Sequence, residues 1–170
     1  MKSFRLLALL PALIALPAFA QTVSDAQIAA IVVTANQVDI DAGAYASAHT
    51  DNADVKGFAD RMVADHTGVN KDAVALVTKL HVTPEQSDTS RALKSGGDEN
   101  LTHLKSLSGK ELDKAYIDHE VAYHEAVINA LDQVLIPNAQ NAELKAMLVG
   151  VRPAFVAHLE HAKHVQATYK

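Results

Sequence analysis

The sequence predicts an all-α protein built from four long helices, with one long connection between the second and the third. Three observations predict this fold class. Apolar residues recur at steps of three and four along four extended segments, which is the period of an α-helix. Alternating β-branched runs bounded by turn residues, which would indicate strands, are nearly absent. The composition, 49% hydrophobic and 21% charged, is that of a globular domain.

Residues 1–20 have the pattern of a secretory signal peptide. A short basic start precedes an apolar run over 6–18, and Ala18-Phe19-Ala20 matches a small-x-small cleavage site. The run is shorter than the ~20 residues that a membrane-spanning helix needs. We therefore expect cleavage after Ala20, an exported periplasmic protein consisting of a single helical domain over 21–170, and no stable membrane insertion after cleavage.

The first two predicted helices cover about 25–49 and 53–80. Their apolar stripes follow the helical period, and the first helix is preceded by a capping box formed by Ser24 and Gln27. A short turn joins the two helices, so we expect them to be antiparallel.

The third and fourth predicted helices cover about 110–135 and 142–167, again joined by a short turn. Ser108 and Glu111 have the spacing of a capping box for the third helix. Pro153 lies inside the fourth helix and is expected to kink it.

Residues 81–109 form the crossover between the two helix pairs. Pro84 and Gly96-Gly97 are expected to break it, which leaves room for short helices over about 85–94 and 98–107. A connection of this length spans the height of a helix bundle. The layout is therefore that of a ferritin-like four-helix bundle with one long crossover.

Composition also limits the classes of function. The formal charge of −5 argues against a nucleic-acid binder that relies on general basicity. The chain has no Cys, which excludes disulfides, thiolate metal sites and a Cys nucleophile. It has nine His, an excess that calls for an explanation.

Polar residues interrupt the apolar stripe of every predicted helix, and they do so near mid-height. Axial offsets between neighbouring helices are only about 4–6 Å at these positions, which side chains can bridge. One carboxylate and three imidazoles are thus predicted to meet inside the bundle. They are Asp39, His66, His124 and His158, with Asp65, Glu120 and His161 as weaker candidates.

Such a cluster suits a transition metal such as Zn, Cu or Fe by ligand type. Buried charge is costly unless it is paired or bound to a metal, so a metal-free Asp–His hydrogen-bond network that fixes helix register is the other interpretation. The chain has no complete catalytic motif, and it has no Glu-x-x-His pair, which a di-iron oxidase of this fold would need. We therefore expect a protein that is not an enzyme.

Three sequence blocks, in this order, resemble a known family. They are FADRMVADHTGVN at 58–70, Asp113 and Tyr116 followed by EVAYH at 120–124, and HLEHA at 158–162. Together they resemble the bacterial exported family called domain of unknown function 4142, over essentially the whole mature chain. The resemblance implies a periplasmic or envelope protein with a ferritin-like helical bundle, and it implies no particular activity.

By position, the family's histidine sites correspond to His66, His124 and His158, and its glutamate on the first helix corresponds to Asp39. Three functions follow as hypotheses. The first is an exported bundle that binds a metal through the Asp/His cluster. The second is a metal-free envelope stress or interaction module with an envelope protein as its partner. The third is a ferritin-like redox enzyme.

Overall fold

The computed structural model describes residues 23–169, which form helices and short connections with no strand among them. The predicted signal peptide over 1–20 lies outside the described residues. The helices are α1 (Asp25–His49), α2 (Ala53–Lys79), α3 (Asp88–Lys105), α4 (Gly109–Ala130), α5 (Ile136–Asn138) and α6 (Ala142–Gln166). A π-helical turn over Leu131–Leu135 joins α4 to α5, and a 3-10 turn over Ala167–Tyr169 follows α6. The predicted all-α class is confirmed.

Side-chain caps fix the start of three of the long helices. Ser24 accepts a hydrogen bond from the backbone N–H of Gln27, and the Gln27 side chain accepts one from the N–H of Ser24, so the predicted capping box is present. Asn52 and Asn141 each accept hydrogen bonds from two backbone N–H groups at the starts of α2 and α6.

The start of α4 differs from the prediction. Ser108 makes no side-chain capping hydrogen bond, so the capping box predicted with Glu111 is wrong. Gly109 has a φ of +55°, in the left-handed region that glycine tolerates best. This turn of the backbone changes the direction in which the chain enters α4, and the Ser108 hydroxyl does not bond the first-turn N–H groups.

Two apolar clusters fill the interior at opposite ends of the long helices. The first apolar cluster consists of Ala42, Ala46, Val55, Phe58, Ala59, Met62, Leu104, Leu112, Tyr116, Ile117, Ala162 and Val165. The second apolar cluster consists of Ile28, Ile31, Val32, Ala73, Leu131, Leu135, Ala139, Leu144, Leu148 and Phe155. Along α1 and α6 the chain passes from the second cluster to the first, and along α2 and α4 it runs the opposite way. The pairs α1–α2 and α4–α6 are therefore antiparallel, and both pairs are in extensive contact.

The crossover contains one continuous helix, α3, which packs mainly against α1. The predicted break at Gly96-Gly97 is wrong, and so are the two short helices predicted over 85–94 and 98–107. Gly97 faces Val38 so closely that a Cβ atom at position 97 would lie 2.5 Å from a Val38 methyl carbon. The glycine therefore serves close helix packing rather than chain reversal, and this packing outweighs its low helix propensity.

The chain widens into a π-helical turn before Pro137, where the sequence predicts that an α-helix simply ends. Proline has no N–H, so the carbonyl of Gln133 cannot receive an α-helical hydrogen bond. In the turn the N–H of Ile136 donates to the carbonyl of Leu131, five residues earlier. The helix thus continues as a π-helical turn until it reaches the proline.

Helix α6 continues through Pro153. The missing N–H leaves the carbonyl of Val149 without its helical donor, and Val149 is exposed, so water can serve this carbonyl. The kink expected at Pro153 stays a prediction. Within residues 23–169, no helix is both long enough and apolar enough to cross a membrane.

Candidate metal centre

A layer of buried polar side chains separates the two apolar clusters. We call it the polar layer, and it consists of Asn36, Asp39, His66, Glu120, His124 and His158. On each of α1, α2, α4 and α6, its members fall between the residues of the first cluster and those of the second. Each is at most 3% exposed. The polar side chains of these four helices therefore lie at one level and face the interior.

Each of the three histidines has one ring nitrogen next to an oxygen atom outside the centre. Nδ1 of His66 lies 2.7 Å from Oδ1 of Asn36, and Nδ1 of His124 lies 3.0 Å from the backbone carbonyl oxygen of Glu120. Nε2 of His158 lies 2.9 Å from Oδ2 of Asp65. These oxygens accept hydrogen bonds, so they favour the tautomer with its proton on the nitrogen that faces them. In that tautomer the opposite nitrogen of each ring is available as a ligand.

These opposite nitrogens are the candidate metal ligands. Nε2 of His66, Nε2 of His124 and Nδ1 of His158 are buried and have no hydrogen-bond partner among the described residues. The three histidines bring one ligand atom each within 4.8 Å of the others. Ligands of a tetrahedral ion at ~2.0–2.1 Å lie about 3.3 Å apart, so small side-chain movements would close the set.

Two carboxylates lie beside the histidines. Oδ2 of Asp39 is 3.0 Å from Nε2 of His66 and 3.6 Å from Nε2 of His124, while Oε2 of Glu120 is 3.4 Å from Nδ1 of His124. None of these contacts is a hydrogen bond, and all four carboxylate oxygens are buried without a hydrogen-bond partner among residues 23–169. Asp39, Glu120 and His124 form a second set of potential ligands that shares His124 with the first.

Burial changes the protonation of this layer. Desolvation lowers the pKa of His158 to about 4, although the hydrogen bond to Asp65 opposes the change, and the neighbouring His66 and His124 lower it further. His158 is therefore neutral at pH 7, as a ligand must be. Desolvation and the charge of Asp39 raise the pKa of Glu120. A cation at this position would reverse that effect by favouring the carboxylate.

Asn36 is part of the site, and the sequence analysis missed it. Its amide nitrogen donates to Oδ1 of Asn70 at 3.0 Å, which leaves its Oδ1 facing His66. The amide of Asn70 in turn donates to the carbonyl of Val33 at 3.4 Å. The available signal was the position of Asn36 one turn before Asp39, on the same buried stripe.

Of the weaker candidates, Glu120 belongs to the polar layer, whereas Asp65 and His161 lie outside it. The Asp65 side chain is 43% exposed and supports His158 from the solvent side, with Arg61 as its second partner. Burial tends to raise the pKa of Asp65, but the hydrogen bonds from His158 and Arg61 outweigh it, so the pKa is lowered. His161 is half-buried and packs edge-on against Phe58, with ring centroids 5.2 Å apart.

Comparison with known proteins adds one finding. The model of a family described as a domain of unknown function (DUF4142) matches residues 13–165. No curated protein and no solved structure matches the chain. The matched range covers most of the chain, so the resemblance suggested by the three sequence blocks is confirmed, and the chain belongs to the DUF4142 family.

Proposed function

We propose that this protein binds one divalent transition-metal ion in the polar layer. The observation that carries the proposal is the orientation of His66, His124 and His158. Each ring has one nitrogen hydrogen-bonded to an oxygen atom, and the three residues bring one potential ligand atom each within 4.8 Å of the others. Histidine ligands of metal ions are typically held in this manner, since the outer hydrogen bond fixes the tautomer and raises the basicity of the ligand atom.

The charges present also suit a cation. Asp39 and Glu120 place two carboxylates, without hydrogen-bond partners among residues 23–169, next to the histidine nitrogens. A divalent ion would balance two negative charges that are otherwise costly to bury. Three imidazoles with carboxylate oxygens suit Zn²⁺, Cu²⁺ or Fe²⁺ by ligand type. Of the two carboxylates in the polar layer, Asp39 lies closer to the histidines, so we assign it as the fourth ligand.

We further propose that the helices form a ferritin-like four-helix bundle and that the protein works in the periplasm. The antiparallel pairs α1–α2 and α4–α6, with α3 inside the long connection, support the first point. The signal-peptide pattern over 1–20 supports the second. The lack of a complete catalytic motif in the sequence supports a protein that binds metal without being an enzyme.

Two other interpretations compete with this one. A metal-free hydrogen-bond network would require the polar layer to form hydrogen bonds with itself, yet seven of its buried atoms have no hydrogen-bond partner among the described residues. A redox enzyme with two metal ions would need several bridging carboxylates. The polar layer contributes Asp39 and Glu120 only, so the observations favour a binding site over either alternative.

Metal titration tests the proposal directly. The purified protein is stripped with a chelator, its metal content is checked by elemental analysis, and Zn²⁺, Cu²⁺ or anaerobic Fe²⁺ is added in competition with a chromogenic chelator. We expect one ion per chain. His124→Gln removes the histidine shared by both ligand sets, so affinity should fall by more than about 100-fold.

The matched control is His103→Gln, because His103 is exposed on α3, away from the polar layer. It should bind metal like the unchanged protein. A protein that binds none of the three ions more tightly than in the millimolar range would overturn the proposal. Equal losses of affinity in the two variants would also overturn it, because binding would then not depend on the polar layer.

A further inference from the structure

A cavity of about 320 Å³ lies next to the polar layer, lined by residues of α1, α2, α3, α4, the π-helical turn and α6. Protein interiors contain few voids larger than a water molecule. A dry core cavity of about 150 Å³ is large enough to hold benzene. This cavity has about twice that volume, which is within the range of pockets that bind small organic molecules.

The wall of the cavity is apolar. Val32, Val127, Leu131, Leu148 and Phe155 line it from four elements, and none of the Asp, Glu, Lys or Arg residues within 23–169 lines it. A charged ligand would lose its hydration here without gaining a partner of opposite charge. The wall therefore selects for an uncharged molecule.

Two polar side chains of the wall, Tyr123 and Asn36, are already engaged in hydrogen bonds. The Tyr123 hydroxyl donates to the carbonyl of Ala35 at 2.8 Å, and both ends of the Asn36 amide are hydrogen-bonded. At the inner end the wall is formed by the rings of His66 and His124. A molecule in the cavity would thus have an apolar environment along its length and imidazole rings at one end.

The inner end is also shaped for a flat molecule. The ring of Phe155 stacks on that of His66, with centroids 5.2 Å apart and an angle of 17° between the planes. The ring of His124 meets Phe155 nearly at a right angle. Aromatic pairs favour stacked and edge-on arrangements of this kind, so further rings can extend the same packing.

The cavity reaches the surface between α3 and the helices opposite it. Its lining includes Thr89 on α3, Ala126 on α4 and Val134 in the π-helical turn, and all three residues are exposed. Helix α3 packs mainly against α1 and touches α4 only slightly, which leaves this side open. The π-helical turn lies on the opposite rim, and such turns are frequent at functional sites.

We propose that this cavity is a binding site for a small, uncharged, mainly apolar molecule with one or two aromatic rings. The molecule enters between Thr89 and Ala126 and extends to the rings of His66 and His124. The proposal does not depend on metal binding, because it rests on the cavity and its lining.

A pair of fluorescent dyes tests the proposal on the full-length purified protein without metal. Phenylnaphthylamine is neutral, and anilinonaphthalene sulfonate has the same ring framework with an added negative charge. We expect saturable binding of the neutral dye at one site per chain, and at least about tenfold weaker binding of the charged dye. Equal affinity for the two dyes, or fluorescence that does not saturate, would overturn the proposal.

Variants at the rim locate the site. Ala126→Trp and Thr89→Trp place a large side chain at the mouth from two different helices, and each should weaken binding of the neutral dye at least about tenfold. Ala122→Trp is the matched control, since Ala122 is exposed one turn earlier on α4 and does not line the cavity. Because Thr89 and Ala126 are exposed, both rim variants should fold, which circular dichroism verifies. Unchanged binding in both folded rim variants would place the dye elsewhere and overturn the proposal.

Discussion

The histidines of the polar layer are held by three different kinds of acceptor. His66 faces a buried amide oxygen, His124 a backbone carbonyl of its own helix, and His158 a partly exposed carboxylate. A charged acceptor stabilises a ring N–H more strongly than a neutral one. The three rings therefore differ in how firmly each tautomer is fixed.

Asn36 provides a test of this outer hydrogen-bonding at residue scale. Asn36→Leu keeps the branched shape of the side chain but leaves Nδ1 of His66 without its hydrogen-bond partner. We expect the affinity for Zn²⁺, measured by chelator competition, to fall about 10–100-fold. Gln37→Leu is the matched control, because Gln37 is the exposed neighbour whose partner is Asp41. An Asn36→Leu protein that folds and binds Zn²⁺ with unchanged affinity would show that the amide does not support the ligand.

The low pKa of His158, about 4, predicts how stability changes with pH in the protein without metal. Between about pH 6.5 and pH 4 the unfolded chain takes up a proton at His158 that the folded protein does not. The folded state should therefore lose stability as the pH falls through this range. Relative to His158→Gln, we expect the unchanged protein to lose about 1–3 kcal/mol, as measured by urea unfolding.

Glu120 titrates in both of these proteins, so its contribution largely cancels in the difference. A stability difference that stays constant from pH 7 to pH 4 would contradict the low pKa of His158.

At the scale of secondary-structure elements, the packing of α3 against α1 includes one close contact between the backbone of α3 and a side chain of α1. Gly97 rests against Val38 of α1, whereas Gly96 has no other group within 4 Å of the position that a Cβ atom would take. Val38 is β-branched, so its methyl groups cannot rotate away freely. The two adjacent glycines of this helix thus differ. Gly97 allows α3 to pack closely against α1, whereas Gly96 makes no such contact.

This difference predicts opposite effects of the same substitution. Gly97→Ala should lower the free energy of unfolding by about 1–3 kcal/mol, because the new methyl group overlaps with Val38. Gly96→Ala should raise it by up to about 1 kcal/mol through helix propensity alone. Thermal and urea unfolding of the two variants measure both changes. If Gly97→Ala were as stable as Gly96→Ala, α3 would not pack against α1 as described.

For the whole molecule, the helical period made much of the fold predictable from the sequence. A residue that repeats at steps of three and four must face the interior, so Asp39, His66, His124 and His158 could be expected inside without knowledge of their neighbours. Their common level followed from the short turns, which fix the height of one helix against the next. These four side chains are indeed buried in the polar layer, and metal binding by them stays a prediction.

What the sequence did not reveal depends on contacts between distant segments. The role of Asn36 requires the orientation of α2, because its partners His66 and Asn70 lie on that helix. The continuity of α3 depends on Val38, far away in sequence, which makes Gly97 favourable inside a helix. Local propensity is a weak guide wherever tertiary packing decides the conformation.

The position of the polar layer predicts that metal binding stabilises the entire fold. The layer joins four helices between the two apolar clusters, so an ion held there links all of them and is released when they separate. An ion at 100 times its dissociation constant adds about 2.7 kcal/mol to the free energy of unfolding. For a domain of this size we expect the melting temperature to rise by about 5–10 °C.

Differential scanning calorimetry with and without a chelator measures the shift. Asp39→Asn and His124→Gln should abolish most of it, whereas His103→Gln should retain it. A shift of the same size in all three variants would mean that the ion stabilises the protein from a site outside the polar layer. The proposed link between the four helices would then be wrong, even if the protein binds metal.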